Sequence, residues 1–186
     1  MKSPVGILVS VVLLAAAVAT MVWYVHRAIV RRAANAAFAA HIDEYLNEYS
    51  SDYLKKKAEI DPSASPALHS RMVVVNRETR QLDPAFFDVP DDLRASGPES
   101  AGILVVTSYE ENKVGRYGTI PYISGIAYDC VARYDFIDLV QHKFTGRIQF
   151  ANSPPRSVTA STFDHHAPHP TDLFLFTLAE LHRRKD

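Results

Sequence analysis

An uninterrupted apolar run near the N-terminus constrains this chain more than any other feature. Residues 5–25, VGILVSVVLLAAAVATMVWYV, contain no charged side chain. At about 1.5 Å of rise per residue, a helix of this length crosses a hydrocarbon core of roughly 30 Å. Trp23 and Tyr24 close the run, as is typical of aromatic rings at the headgroup level. The sequence therefore predicts a transmembrane anchor over residues 1–26 that contacts the lipid bilayer through residues 5–25.

A cleaved signal peptide is the alternative interpretation of the same run. The small residues Ala17 and Ala19 match the pattern that precedes a signal-peptidase site, and cleavage there would leave an exported envelope protein. However, the apolar run continues for six residues beyond Ala19, and Lys2 is the one basic residue ahead of it. These two features favour an uncleaved, single-pass signal-anchor.

The charges that flank the run give a weak indication of topology. Arg27, Arg31 and Arg32 follow it, whereas Lys2 and the terminal amino group precede it. The positive-inside rule therefore leans slightly towards a cytoplasmic C-terminal domain.

Residues 27–57 predict a juxtamembrane helix, because they are rich in alanine and contain neither glycine nor proline. Helical spacing gives this segment one apolar stripe, formed by Phe38, Ile42, Tyr45 and Tyr49. The stripe can pack on its own domain or on a second copy of the chain. A homodimer through this helix, or through small residues of the membrane helix such as Gly6 and Ser10, is therefore an open alternative.

Residues 58–70 predict a linker, because Pro62, Pro66 and several serines interrupt any regular pattern. The chain beyond it, residues 71–186, predicts a small α+β domain with a mainly antiparallel sheet and a C-terminal helix packed on the sheet. The predicted strands cover residues 71–76, 102–110, 126–137 and 143–150, one helical turn covers 89–96, and the helix covers 171–184.

The strands 126–137 and 143–150 alternate apolar and polar residues and predict an antiparallel hairpin. Its inward face is predicted to contain a buried, inert Cys130 thiol and, on the second strand, Phe144, Gly146, Ile148 and Phe150. Its outward face is predicted to be solvated, with cross-strand charge pairs formed by Arg133, Asp135, Arg147 and Gln149. We expect no catalytic role for Asp129 or Asp135. The predicted apolar face of the last helix consists of Leu173, Phe176, Leu178 or Ala179, and Leu181.

Residues 112–125, NKVGRYGTIPYISG, read as the longest irregular loop and include Tyr117. Long loops often contain functional residues, so this segment is a candidate binding region.

The segment FDHHAPHPTD is the strongest candidate for metal binding. Asp164, His165, His166 and His169 are residue types that zinc accepts. Pro168 and Pro170 prevent a regular helix from presenting two of the histidines on one face. The favoured interpretation is the start of the last helix, with Pro170 at its first position and Asp172 in its first turn.

Composition excludes several classes of function. The formal net charge of -1 provides no basic face for nucleic acid, and one cysteine cannot form an intrachain disulfide. The phosphate-binding, dinucleotide-binding, zinc-protease and nucleophile-elbow motifs are absent from the sequence. We therefore assign no catalytic, cofactor-binding or metal residue, and expect a membrane-anchored, non-catalytic interaction or scaffold domain. The alternatives are a metal-dependent or small-molecule-binding module that uses residues 112–125 or 163–169, and the exported envelope protein.

Overall fold

The computed structural model describes residues 4–49, 66, 68–120, 123–152 and 170–183. The chain divides into two compact units, Met1–Ala37 and Phe38–Asp186. The elements are α1 (Pro4–Glu48), β1 (Met72–Asn76), β2 (Gln81–Leu82), β3 (Ile103–Ile120), β4 (Ile123–Asp138), β5 (Lys143–Asn152) and α2 (Pro170–Arg183), with 3-10 helices at Pro84–Asp88 and Pro98–Ser100.

Helix α1 includes both the predicted anchor and the first part of the predicted juxtamembrane helix. Proline is absent after Pro4, and alanine, leucine and valine dominate, so nothing in the sequence interrupts the helical hydrogen bonds. The helix ends at Glu48, whereas the sequence predicts helix as far as residue 57. Residues 50–57 and most of the predicted linker lie outside the described residues.

The apolar stripe at the end of α1 packs within the second unit. Phe38, Ile42 and Tyr49 are at most 2% exposed, and the ring of Phe38 meets the edge of Phe86 at 5.7 Å. Tyr45, on the same stripe, is half-buried. The structure therefore uses the stripe for contact with the chain's own domain.

Five strands form one mixed sheet in the order β2-β1-β3-β4-β5. β1 and β3 are parallel, and the other three neighbouring pairs are antiparallel. The α+β class and the mainly antiparallel character of the sheet are confirmed, and one of its four strand pairs is parallel. Strands β1 and β3 lie inside the sheet, which explains why MVVV and ILVV are apolar on both faces.

Helix α2 covers one face of the sheet, which we call the first face. Its Phe174 stacks on Tyr134 of β4 with ring centroids 4.2 Å apart, and both residues are fully buried. Leu178, one turn further along, is also fully buried, whereas Phe176 is 64% exposed. The predicted apolar face of this helix was therefore wrong at Phe176, because Phe174 and Leu178 define the stripe and residue 176 points away from it.

Part of the opposite, second face of the sheet is also buried. Val106 and Ile137, which lie on that face, are at most 2% exposed.

Two tight turns contact α1 in the same way. The turns begin at Asn76 and Asp138, whose side-chain oxygens accept two backbone N–H groups each. They end at Arg80 and His142, which both have positive φ. Arg80 pairs with Asp43 of α1, and His142 Nδ1 lies 2.9 Å from Glu48 Oε1 and 3.1 Å from the hydroxyl of Tyr49. These contacts hold the end of α1 against both ends of the sheet.

Three local predictions need correction. Residues 112–125 are not a loop: apart from the undescribed residues 121 and 122, they belong to β3 and β4, with register shifts after Lys113 and after Tyr117. Within residues 89–96 the predicted helical turn is shorter than expected: the carbonyl of Pro90 accepts the N–H groups of Leu93 and Arg94, and an isolated bridge at Arg94 follows. On β5, a bulge pairs Phe144 with Ile137, so Phe144 lies on the second face, opposite to Gly146, Ile148 and Phe150.

Candidate functional site

A buried carboxylate lies where β2 ends. Asp83 is 0% exposed, and its Oδ1 accepts a hydrogen bond of 2.9 Å from the backbone N–H of Ala85. This contact caps the 3-10 helix that begins at Pro84, a position where proline is favoured. The local sequence Asp-Pro therefore accounts for the hydrogen bond to one of the two oxygens of this side chain.

The other oxygen of Asp83 binds two hydroxyl groups of β3. Thr107 Oγ1 donates to Oδ2 at 2.6 Å, and Tyr109 OH donates to the same atom at 3.1 Å. Thr107 and Tyr109 lie on the first face of the sheet because strand residues alternate between faces. Asp83 therefore has three donors, all of them neutral groups.

The hydrogen bonds extend from Asp83 to the C-terminal helix. Tyr134 OH lies 3.3 Å from Tyr109 OH, and Thr171 in the first turn of α2 hydrogen-bonds to both tyrosine hydroxyls. This buried network joins the segment after β2, the strands β3 and β4, and the start of α2.

The tyrosines of the network are hydrogen-bond donors at neutral pH. Burial is the main reason why the pKa of Tyr134 lies far above its ordinary value, and the hydrogen bond to Tyr109 raises it further. Burial also raises the pKa of Tyr109, and nearby Asp83 adds to the increase. A protonated phenol is a poor base and a poor nucleophile, so the arrangement is suited to holding elements together.

Charged residues on the second face form the cross-strand pairs that the sequence predicts. Asp135 accepts from both Nε and Nη2 of Arg147, the latter at 3.0 Å, and this bond raises the pKa of Arg147. Arg133 donates to Glu110, lowering the pKa of that carboxyl group, and contacts Gln149 at 3.3 Å. However, Asp135 is only 6% exposed, so the predicted solvation of this position was wrong. A carboxylate held by two guanidinium donors has little capacity left for a substrate.

A third buried carboxylate, Asp138, anchors the turn between β4 and β5. It is 2% exposed, accepts from the backbone of Val140 and Gln141, and lies 2.9 Å from Nε2 of His69. Burial opposes its ionisation, but these donors outweigh that effect and lower the pKa of Asp138.

Cys130 is partly exposed instead of buried. Partial burial, followed by the negative charges of Glu111 and Asp129, raises the pKa of the thiol. The thiolate is therefore scarce at neutral pH, in agreement with the low reactivity that the sequence predicts.

The predicted metal and loop sites are largely outside the described residues. His165, His166 and His169 fall there, and the side chain of Tyr117 is not described, so the histidine segment stays a prediction. Within the described parts of the chain, no group of three or more histidine, cysteine, aspartate or glutamate residues could hold a metal ion.

Most of the exposed large apolar residues in the described part of the chain belong to the first unit. The large apolar residues of α1 between Val9 and Val30 are 46% to 70% exposed. This helix is long and apolar enough to cross a membrane, with a mean hydropathy of 1.9 over its best window and none of that window buried, although a signal sequence would pass the same test. The end of the run is marked by Arg27, whose guanidinium lies 5.3 Å from the centre of the Trp23 ring.

The sequence alone did not identify the buried network. The Asp-Pro pair before an apolar PAFF segment is a helix-start signal that would have pointed to Asp83. Nothing local indicates that Thr107, Tyr109, Tyr134 and Thr171 meet, because they belong to three separate elements.

Comparisons with known proteins add no functional information. No family model, curated protein or solved structure matches the chain.

Proposed function

We propose that this protein is a single-pass, membrane-anchored domain that works by binding a protein partner and not by catalysis. The observation that carries the proposal is the exposed apolar surface of α1 between Val9 and Val30. A surface of this size is costly in water, whereas a hydrocarbon environment would remove the cost.

The length of the helix favours an anchor over a cleaved signal sequence. The apolar core of a signal peptide is typically about 7–15 residues long. Here the uncharged run covers residues 5–25, and the helix continues without interruption past Ala19 to Glu48. The exported envelope protein is the alternative, and it requires cleavage close to Ala19.

The polar groups of the domain favour binding over catalysis. Asp83, Asp135 and Asp138 are each buried and each hydrogen-bonded to two or more donors. A catalytic acid or base needs access to its substrate. Within the described residues, the buried carboxylates support the fold instead.

The hairpin of β3 and β4 supplies a candidate docking element. β1 pairs with β3 only as far as Thr107, and β5 pairs with β4 only as far as Cys130. Among the described strands, the hairpin from Asn112 to Asp129 is therefore a ribbon of two strands. Its outer backbone N–H and C=O groups would suit an extended segment of a partner protein that adds a strand to the ribbon.

The anchor is tested by fractionation of the full chain. We expect it to stay in the membrane pellet after alkaline extraction, and Leu14→Arg with Val18→Arg to release it, because two central arginines cost roughly 6 kcal/mol of insertion energy. The matched control is Val140→Arg, at a turn position that is 79% exposed in the second unit. N-terminal sequencing completes the test: a chain that begins after Ala19 would contradict the anchor.

The side of the membrane is tested with a pair of C-terminal reporters, one active only in the cytoplasm and one only outside. The three arginines after the apolar run lead us to expect the cytoplasmic signal.

Docking on the ribbon is tested by site-specific photo-crosslinking in cells. We expect a crosslinker at Lys113 to give a discrete protein adduct and a crosslinker at Val140 to give none. A variant in which residues 114–127 are replaced by Asn-Gly should lose the adduct and keep its melting temperature, since Lys113 and Tyr128 are register partners that a two-residue turn can join. Equal labelling from both positions would contradict a docking role.

A further inference from the structure

We infer that the basic residues at the end of the apolar run, Arg27, Arg31 and Arg32, form a binding surface for anionic phospholipid headgroups. The inference rests on the proposed membrane anchor and adds the class of lipid that the anchor selects. In the sequence, no acidic residue follows these arginines until Asp43. The surface therefore has three positive charges within six residues.

Helix geometry places the arginines at headgroup depth. At about 1.5 Å per residue, Arg27 lies about 5 Å beyond Tyr24, the second ring of the pair that ends the apolar run, and each headgroup layer adds roughly 6 Å to the hydrocarbon core. Arg31 and Arg32 begin about 11 Å beyond Tyr24, and their long side chains would reach back to the outer edge of this layer, because helical side chains tilt towards the N-terminus. Anchored aromatic rings would therefore hold the guanidinium groups level with lipid phosphates.

The contact between Arg27 and Trp23 supports the same depth. The guanidinium lies over the indole ring at 5.3 Å, which keeps the charge beside the aromatic belt. Arg31 follows one turn later on the same side of the helix, and Arg32 is exposed beside it. A planar guanidinium binds phosphate through two parallel hydrogen bonds, and each basic residue near an anionic surface adds substantially to binding.

The single tryptophan makes the inference directly measurable. The chain has one tryptophan, Trp23, so its fluorescence reports on the lipids around the end of the helix. The full chain is reconstituted into phosphatidylcholine vesicles with one-fifth phosphatidylglycerol. Two samples of the same lipid composition are prepared, one with brominated phosphatidylglycerol and one with the same amount of bromine on phosphatidylcholine. The quenching of Trp23 fluorescence is then compared between the two samples.

We expect brominated phosphatidylglycerol to quench Trp23 roughly twice as strongly as brominated phosphatidylcholine, because anionic lipid accumulates beside the arginines. High salt should reduce the difference. Arg31→Gln with Arg32→Gln should remove most of it, whereas Arg77→Gln with Lys143→Gln, the same charge change at exposed positions of the second unit, should preserve it. Arg27 is left unchanged because its contact with Trp23 would alter the emission directly.

Equal quenching by the two lipids in the unaltered chain would overturn the lipid preference and leave the anchor intact. Quenching by neither lipid would show that Trp23 is outside the bilayer, and would contradict the anchor as well.

Discussion

Single buried carboxylates contribute to the stability of this domain through their hydrogen bonds. Among the described residues Asp83 has no ion pair, and it is stabilised by one backbone and two hydroxyl donors. Asp138 combines backbone donors with His69. A buried polar group is costly when it lacks a hydrogen-bond partner. Removing either carboxylate should therefore destabilise the fold further through the donors that it leaves unpaired.

Replacing Asp83→Ala should destabilise the domain by about 3 kcal/mol, because the hydroxyls of Thr107 and Tyr109 and the N–H of Ala85 would lose their shared acceptor. Tyr109→Phe removes one donor and leaves the acceptor, so it should cost only about 1 kcal/mol. Urea unfolding of the full chain in detergent, followed by circular dichroism, measures both. Equal costs for the two variants would contradict a network centred on Asp83.

The stability contributed by Asp138 should depend on pH. Because the folded state lowers the pKa of this carboxyl group, its contribution is complete above the unfolded value of about 3.9 and is lost as the pH falls through the folded value. Asp138→Asn should therefore be less stable than the unaltered chain at neutral pH, and the difference should shrink in acid. Asp91→Asn, at an exposed position, is the control. A gap that stays constant down to pH values well below the unfolded pKa would contradict this assignment.

At the scale of elements, α2 shows how packing selects one face of a helix. Phe174→Ala should destabilise the domain by about 4 kcal/mol, because the fully buried ring stacks on Tyr134. Phe176→Ala is the matched control and should change stability by less than about 0.5 kcal/mol, because that ring is in solvent. Thermal melting of the two variants checks the assignment, which fails if Phe176 is the more sensitive position.

The hairpin of β3 and β4 is an element that the local sequence predicts wrongly. Glycine and proline typically interrupt regular secondary structure, so Gly115, Gly118 and Pro121 are typical of a loop. In the structure the register continues through this segment, with Gly115 opposite Ala127 just after one register shift and Ile120 opposite Ile123 after another. Bulges accommodate the irregular residues, and pairing with the partner strand keeps the backbone extended. Sequence patterns do not reveal this pairing.

At the scale of the whole molecule, the end of α1 is part of the second unit, which begins at Phe38. A fragment of residues 38–186 should therefore fold cooperatively, whereas a fragment of residues 71–186, the domain predicted from sequence, should be less stable. The loss should be about 5 kcal/mol or more, because Phe38, Ile42 and Tyr49 would no longer be buried. Urea unfolding of both fragments measures the difference, and equal stability would show that the stripe contributes little.

Local patterns in the sequence were enough to predict several elements. The apolar run of residues 5–25 predicted a long N-terminal helix, period-two alternation predicted the hairpin of β4 and β5, and Pro170 marked the start of the last helix. These succeed because helix length, strand alternation and proline geometry are properties of neighbouring residues.

The contacts between residues that are far apart in sequence could be identified from the tertiary structure but not from the sequence. The parallel pairing of β1 with β3, the contact of Asp83 with Thr107 and Tyr109, and the docking of the α1 stripe each join segments more than twenty residues apart. Such contacts form because buried polar groups must find partners and apolar faces must be covered. Many pairings satisfy those two demands in the sequence, and the fold selects one of them.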